Sequence, residues 1–166
     1  MHHFGRLLRA SVMFLCMPLA ASGQEGSAQP GPAPWGAFCT GESRHLPLDC
    51  QIEQRVVVSN SGQLLTAVVL KMPRSAGAPT LLVQTPFGLH LPSGLRLAVD
   101  DADVLTLPLR TCDATGCYAE AAANDDLVAA MRRGNTLTVA FKDVRENEIA
   151  VPVSLLGFSA ALDKAR

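Results

Sequence analysis

The chain contains 166 residues, of which 48% are hydrophobic and 17% charged, enough apolar material for one domain with a core and too little charge for a disordered polymer. Lys and Arg number 14 and Asp and Glu 15, a formal net charge of -1, which excludes a generally basic nucleic-acid binder. Aromatic residues make up 5% of the chain, which disfavours a surface that stacks on bases or sugars.

The N-terminal segment, residues 1–23, has the three parts of a secretory signal peptide. Arg6 and Arg9 form a positively charged start, residues 10–19 are mostly apolar, and small residues follow. An apolar run of about 10 residues is too short for a transmembrane helix, which needs roughly 20. The pattern therefore predicts a cleaved signal peptide and no transmembrane anchor in the mature protein.

The cleavage site lies among small residues at the end of this segment. Ala20, Ala21 and Gly23 each fit signal peptidase, and we favour Ala21 or Gly23. Cys16 lacks the preceding small residue that lipid attachment needs, and it leaves with the peptide. Loss of two arginines lowers the basic residues from 14 to 12 against 15 acidic ones, so the mature charge is -3.

Four cysteines remain after cleavage, an even number that indicates disulfides in an exported protein. They allow three pairings, and we favour Cys39–Cys50 with Cys112–Cys117 because each bond then joins neighbours in sequence. One alternative is a redox pair at Cys112 and Cys117, but four residues separate these two cysteines, where a thioredoxin-like motif has two. The other alternative is a zinc site, which the absence of CxxC spacing disfavours.

Most of the rest of the chain is predicted to form strands. Residues 24–34 are rich in Gly and Pro and predict a flexible tail before a folded domain at residues 35–166. From Trp35 onward, apolar residues recur with period two, which is typical of strands with one buried face. Pro108 cannot donate a ladder hydrogen bond, so its strand belongs at a sheet edge or carries a bulge. The predicted strands cover residues 35–39, 50–58, 64–72, 80–85, 95–99, 105–112, 117–123, 137–141 and 149–155.

One internal segment predicts a helix instead. Asn124 is a favourable N-cap, Asp125 and Asp126 suit the positive end of a helix, and Gly134 fits a left-handed stop. Residues 158–162 predict a short C-terminal helical turn. Long helices do not alternate with the strands, so a doubly wound α/β fold is excluded and a β-sandwich or a small barrel remains. We predict an all-β, antiparallel sandwich of about nine strands, cross-linked by the disulfides.

The sequence contains no HExxH, GxSxG, Walker or GxGxxG motif. His45 and His90 are isolated histidines, and we interpret both as loop residues rather than as a base or a ligand. Asp100, Asp101 and Asp103 are similar to a fragment of a calcium loop, but the Gly and the distal Glu of an EF-hand are missing, so we interpret them as a solvated turn.

Two further charged pairs have simple structural interpretations. Glu146 and Glu148 fit an exposed hairpin tip, and Arg132 and Arg133 fit the C-terminal end of the predicted helix, although an arginine pair also suits an anionic partner. We therefore predict no catalytic residue, no metal site and no cofactor. The cysteines at positions 39, 50, 112 and 117 are the only site residues that we assign, as disulfides.

Several short motifs together resemble the invasion-associated locus B family. The resemblance covers residues 35–162, nearly all of the mature chain, and its motifs are Trp35-Gly36-Ala37-Phe38-Cys39, Cys50, Pro86-Phe87-Gly88, Leu91-Pro92-Ser93-Gly94-Leu95, Leu109-Arg110-Thr111-Cys112, Gly116-Cys117, Val151-Pro152-Val153-Ser154-Leu155 and Gly157-Phe158. The resemblance implies a small exported protein of Gram-negative bacteria, mainly alphaproteobacteria, whose family name comes from a link to host-cell invasion. It implies no established reaction and no catalytic residue.

Export, the disulfides and the resemblance together predict a non-enzymatic protein of the periplasm or the cell surface. We expect it to bind another macromolecule, either of the envelope or of a host surface, and not nucleic acid. One alternative is an exported carrier that holds a small apolar ligand between its sheets. Another alternative is an enzyme whose residues meet only in the fold.

Processing of the signal peptide is directly measurable. We expect the exported protein to begin near Ser22 or Gln24, because signal peptidase cuts after small residues. N-terminal sequencing of periplasmic material tests this, and a mature fraction that still begins at Met1 would contradict export.

Overall fold

The structure, a computed structural model, describes residues 35–41, 48–73 and 77–166. The predicted signal peptide, the predicted tail at residues 24–34 and His45 lie outside these ranges. In the described ranges no helix is both long and apolar enough to cross a membrane.

Two antiparallel sheets pack together, which confirms the predicted β-sandwich. The larger sheet has the strand order β1-β2-β3-β4-β8-β7, and the smaller has the order β10-β9-β5-β6. The strands are β1 (Gly36–Thr40), β2 (Asp49–Val57), β3 (Leu64–Lys71), β4 (Thr80–Thr85), β5 (Leu95–Val99), β6 (Ala102–Leu107), β7 (Leu109–Asp113), β8 (Gly116–Ala122), β9 (Thr136–Lys142) and β10 (Glu148–Ser154), and the helices are α1 (Asp125–Arg133) and α2 (Phe158–Lys164).

The core lies between the sheets and is built by the period-two alternation of the strands. Alternate apolar side chains of each sheet point inward, and full burial of one such side chain stabilises the fold by about 1.5–3 kcal/mol. The fully buried members include Ile52, Val68, Leu70, Leu81, Val83 and Ala119 on the larger sheet and Leu95, Leu97, Leu137, Val139 and Val153 on the smaller sheet.

The predicted strand at residues 105–112 is wrong as a single element, and the described chain has ten strands rather than about nine. Strand β6 ends at Leu107 on the edge of the smaller sheet, and β7 begins at Leu109 on the edge of the larger sheet. Pro108 lies between them, where its missing N–H costs no ladder hydrogen bond. Pro108 is at the edge of the sheets, as predicted. It lies in the connection through which the chain crosses from the smaller sheet to the larger one.

Helix α1 begins as predicted and ends differently. The side chain of Asn124 accepts a hydrogen bond from the Leu127 N–H at 2.9 Å, which confirms the N-cap. The predicted left-handed stop at Gly134 is wrong, because this residue has φ -79° and ψ 166°, an extended conformation. A Cβ at this position would collide with the side chain of Val99, so the glycine is required by close packing of the helix end on β5.

The two ends of the described domain contact each other through Trp35. Its ring packs edge-on against Phe158 of α2, with ring centroids 5.0 Å apart and planes at 78°. Its indole N–H donates to the Ser154 carbonyl at 2.9 Å. Both contacts attach the start of β1 to β10 and α2, so the predicted C-terminal helical turn has a structural role.

Phe141 and Lys142 test the register of β9. Phe141 is 3% exposed and points into the core, so we expect Phe141→Ala to lower the free energy of unfolding by about 3–5 kcal/mol. Lys142 is partly exposed, and we expect Lys142→Ala to change the free energy of unfolding by no more than about 0.5 kcal/mol. Denaturant titration of both oxidised variants measures the contrast. Equal small losses would place the strand outside the core, and a loss for Lys142 alone would mean a register shift of one residue.

Candidate functional site

The candidate site lies where three neighbouring strands of the larger sheet reach the same end. Cys39 is near the end of β1, Cys50 is near the start of β2, and Met72 follows β3. A disulfide joins Cys39 to Cys50, and the Met72 N–H donates to the Cys50 carbonyl at 2.8 Å. We refer to these three residues as the disulfide rim. Cys39 is exposed, so the bond lies at the surface.

A solvent-open pocket of about 880 Å³ borders the disulfide rim. Its walls come from parts of the chain that are distant in sequence: the rim, the loop before β4, the start of α1 and the end of α2. The lining residues are Cys39, Leu48, Cys50, Met72, Pro73, Gly77, Ala78, Pro79, Asn124, Asp125, Lys164, Ala165 and Arg166.

The charged side chains that line this larger pocket are two basic ones and one acidic one, and Asp163, outside the lining, interacts with Arg166 through its charge. Lys164 and Arg166 are basic and Asp125 is acidic, while Leu48, which is 54% exposed, adds an apolar side chain. The amide oxygen of Asn124 is engaged as the cap of α1. This arrangement can hold an acidic or amphipathic group by charge and apolar contact.

A second, smaller pocket of about 390 Å³ lies beside the same rim and shares Cys50 and Met72 with the larger one. Its other lining residues belong to β1, β2 and β3: Phe38, Thr40, Asp49, Gln51 and Lys71. Phe38 is 55% exposed, and its ring covers Gly36, where a Cβ would lie 2.7 Å from the ring. The rim therefore separates two adjoining pockets.

The second disulfide, Cys112–Cys117, joins β7 to β8 at the other edge of the larger sheet. This pairing and that of Cys39 with Cys50 are the ones that the sequence spacing favours. In the turn, the Thr115 N–H donates to Asp113 Oδ1 at 2.7 Å and the Thr115 hydroxyl donates to it at 2.8 Å. These hydrogen bonds hold the pKa of Asp113 below its ordinary value, and the bond from the Thr115 backbone N–H has the largest effect.

The isolated histidines of the sequence do not meet at this site. His90 is partly exposed, and its Nδ1 lies 2.8 Å from the Ser93 hydroxyl, within the turn before β5. His45 lies outside the described residues. Across the ranges that the structure describes, no group of three or more His, Cys, Asp or Glu side chains is placed to hold a metal ion.

Two of the acidic candidates, Asp100 and Asp103, make structural contacts. Asp100 Oδ1 accepts hydrogen bonds from the N–H groups of Asn135 at 3.1 Å and Thr136 at 2.9 Å, which joins the β5–β6 turn to the start of β9. Asp103 forms an ion pair with Arg96 at 2.8 Å. The first contact holds the β5–β6 turn and the second joins strands β5 and β6, while Asp101 is exposed in the turn.

Two of the other charged candidates, Glu148 and Arg132, also form contacts within the fold. Glu148 shares Arg96 with Asp103, at 3.1 Å, while Glu146 lies exposed in the β9–β10 turn. Arg132 pairs with Asp163 at 2.6 Å and so joins α1 to α2, and Arg133 follows it at the end of α1. Sequence reasoning singled out these residues and missed the pockets at the rim, because no local motif connects their walls.

A family model described as "Invasion associated locus B (IalB) protein" matches residues 35–166. Invasion protein B homologs of Brucella abortus strain 2308 and of Brucella abortus biovar 1 strain 9-941 are each 29% identical to the chain over 131 residues. The alignments cover 78% of this chain and 74% of each relative. These matches confirm the resemblance that the motifs indicate.

A solved structure supports the fold independently. The crystal structure of invasion associated protein B from Bartonella henselae is similar with a TM-score of 0.71 at 24% sequence identity. The match covers 81% of this chain and 92% of that chain, so it extends over the sandwich.

Titration of Asp113 tests the geometry of the β7–β8 turn. Thr115→Ala removes the hydroxyl donor and keeps the backbone donor, so we expect the pKa of Asp113 to rise in this variant while remaining below the ordinary Asp value. NMR titration of the carboxyl carbon measures it, and Thr106→Ala on β6 is the matched control, expected to leave this pKa unchanged.

The same shift sets a pH dependence of stability. Because folding lowers the pKa of Asp113, the stabilisation is present above the pKa of the unfolded chain and is lost as the pH falls through the folded pKa. The stability difference between the wild type and Asp113→Asn therefore shrinks on acidification. An Asp113 pKa that is the same in Thr115→Ala and in the wild type would contradict the hydrogen-bond assignment.

Proposed function

We propose, because the chain belongs to the invasion associated locus B family, that it is exported and acts as a non-enzymatic protein that binds another macromolecule, in the periplasm or at the cell surface. Relatives in Brucella abortus and Bartonella henselae carry invasion in their names, so a role in host-cell invasion is part of this proposal. That role rests on the names of the relatives.

The disulfides support export. The Cys39–Cys50 bond is at the surface, where cytosolic thiol reductants would reach it, and such bonds persist in oxidising compartments such as the periplasm. Membership of the family together with two disulfides fits an extracytoplasmic protein. The predicted signal peptide at residues 1–23 supplies the route.

The observation that carries the binding proposal is the pair of open pockets on the two sides of the disulfide rim. Both are open to solvent and adjoin exposed apolar side chains, Phe38 for the smaller pocket and Leu48 for the larger. Small-molecule sites bury most of the ligand surface, whereas these pockets suit a partner that covers the rim from outside. The apolar side chains between the sheets are packed against each other, which argues against the alternative of an apolar ligand carrier.

Affinity capture tests the proposal. Oxidised mature protein is immobilised and exposed to an envelope extract, in parallel with Leu48→Asp at the larger pocket and Val144→Asp in the β9–β10 turn. Both residues are exposed apolar side chains, 54% and 70%, but only Leu48 lines the pocket. We expect the wild type and Val144→Asp to enrich the same macromolecule and Leu48→Asp to lose it.

The captured macromolecule is then purified and its binding to the three proteins measured directly. No enrichment over bare resin, or equal binding by Leu48→Asp and the wild type, would contradict binding at the rim. Native mass spectrometry of the purified protein provides a further test, since a retained apolar small molecule would instead support the carrier.

A further inference from the structure

We propose that the outer edge of β1 binds an extended segment of a partner protein as an additional antiparallel strand, with an apolar side chain of the segment against Phe38 and an acidic one facing the larger pocket. This inference rests on the proposed function and names the chemistry of its partner. The mode of recognition is strand addition, in which backbone hydrogen bonds give affinity and alternate side chains give specificity.

Hydrogen-bond parity shows which backbone groups of β1 face outward. The Met72 N–H donates to the Cys50 carbonyl, so the backbone groups of Cys50 point toward β3 and away from β1. Cys39 lies directly opposite Cys50 in the register, and the pair is therefore not hydrogen-bonded. Because bonded and non-bonded pairs alternate in an antiparallel ladder, Phe38 bonds to β2, while Ala37 and Cys39 direct their N–H and C=O groups toward the open side of the sheet.

The other three sheet edges carry features that discourage pairing with another chain. On the smaller sheet, β6 carries Asp103 and β10 carries Glu148, both bound to Arg96, and Pro152 interrupts the donors of β10. On the larger sheet, β7 carries charged side chains and a register irregularity. Charges, prolines and bulges are the usual means by which sheet edges are protected.

Strand β1 has none of these features. Its sequence, Gly-Ala-Phe-Cys-Thr, contains no charge and no proline, its register with β2 is regular, and its residues from Ala37 to Thr40 are exposed. Within the described part of the chain it is the edge without such protection. An ordered edge that carries no charge, proline or bulge can accept a further strand.

The two pockets at the rim flank the path of such a strand. Side chains of an added strand alternate between the two faces of the sheet. A side chain of the added strand that lies opposite Phe38 would cover the smaller pocket, which Phe38 lines. Those opposite Cys39 would point toward the larger pocket, where Lys164 and Arg166 outnumber Asp125. Charge complementarity therefore favours a carboxylate on that face and an apolar side chain on the other.

A second copy of the chain is the weaker candidate for this edge. Two copies paired through β1 would share a strand of five residues on each side, whereas a stable interface takes roughly 20–30 residues from each partner. A flexible segment of another protein reaches the edge and both pockets together. Self-association is accordingly one outcome that the test distinguishes.

Peptide selection and amide methylation test the inference. A phage-displayed library of random linear peptides is selected on the oxidised mature protein, and the affinity of a selected peptide is measured by fluorescence anisotropy. We expect the peptide to place an acidic residue next to an apolar one. N-methylation of alternate amides should weaken binding by about tenfold or more, because each removes a hydrogen bond to Ala37 or Cys39, and methylation of the amides between them should be tolerated.

A matched pair of variants locates the site. Phe38 and Phe87 are exposed to similar extents, 55% and 58%, but Phe87 lies in the loop after β4 and lines neither rim pocket. We expect Phe38→Lys to weaken peptide binding by about tenfold or more and Phe87→Lys to leave it unchanged. Ala37→Pro, which removes one outward N–H, should weaken it as well. Thermal unfolding of each variant establishes that it is folded, and the methylation series requires no variant at all.

Four results would overturn the inference: no selected peptide, tolerance of methylation at every amide, equal losses for Phe38→Lys and Phe87→Lys, or a dimer in sedimentation analysis that Phe38→Lys dissociates. The outcome is separable from that of the proposed function. If Phe38→Lys still captures the envelope macromolecule as the wild type does, strand addition fails and macromolecular binding stands. If the wild type captures nothing, the proposed function fails.

Discussion

The attachment of β1 at both ends is the constraint on which the candidate site depends. At its start, Trp35 packs on Phe158 and donates to the Ser154 carbonyl, and near its end Cys39 is bonded to Cys50. Between these points β1 contributes little to the core, since most of its residues are exposed. A disulfide across a sequence separation of 11 stabilises by about 3 kcal/mol in the chain-entropy treatment. The edge strand is therefore held by its pairing with β2 and by these two attachments rather than by burial.

This constraint couples the oxidation state of the protein to the shape of its surface. Reduction of Cys39–Cys50 would remove the covalent attachment near the end of β1 and leave the pairing with β2 and the contacts of Trp35 to hold the strand, while the core between the sheets has no part in this bond. Both rim pockets include Cys50, and the larger also includes Cys39, so both would change together. The disulfide belongs to the walls of the site and not to the core, so an oxidising compartment, where such bonds persist, is the common premise of the export proposal and the binding proposal.

Local signals in the sequence were sufficient for most strands and insufficient wherever tertiary packing decided. Strand β4 and strand β5 have the predicted bounds, because period-two alternation between turn residues is a local pattern. The same alternation runs unbroken through Leu107 and Leu109, yet these residues belong to different sheets, and a period carries no information about which sheet a strand joins. Gly134 likewise has a tertiary reason, its contact with Val99, that no helix-end rule contains. The rim pockets were beyond prediction because their walls come from six separate places along the chain.

An edge strand that binds must satisfy two opposing requirements, since it has to be ordered enough to present hydrogen bonds and guarded enough to avoid aggregation. Strand β1 is held in place by the contacts of Trp35 at its start and by the Cys39–Cys50 disulfide near its end. The protection against aggregation comes from the shortness of the strand. Within it only Ala37 and Cys39 direct backbone groups outward, so an unspecific partner can form few hydrogen bonds. A ligand has to add side-chain contacts with the rim pockets to bind well. Specificity at this edge therefore arises from the pockets, and the backbone groups of β1 set only the direction and register of what binds there.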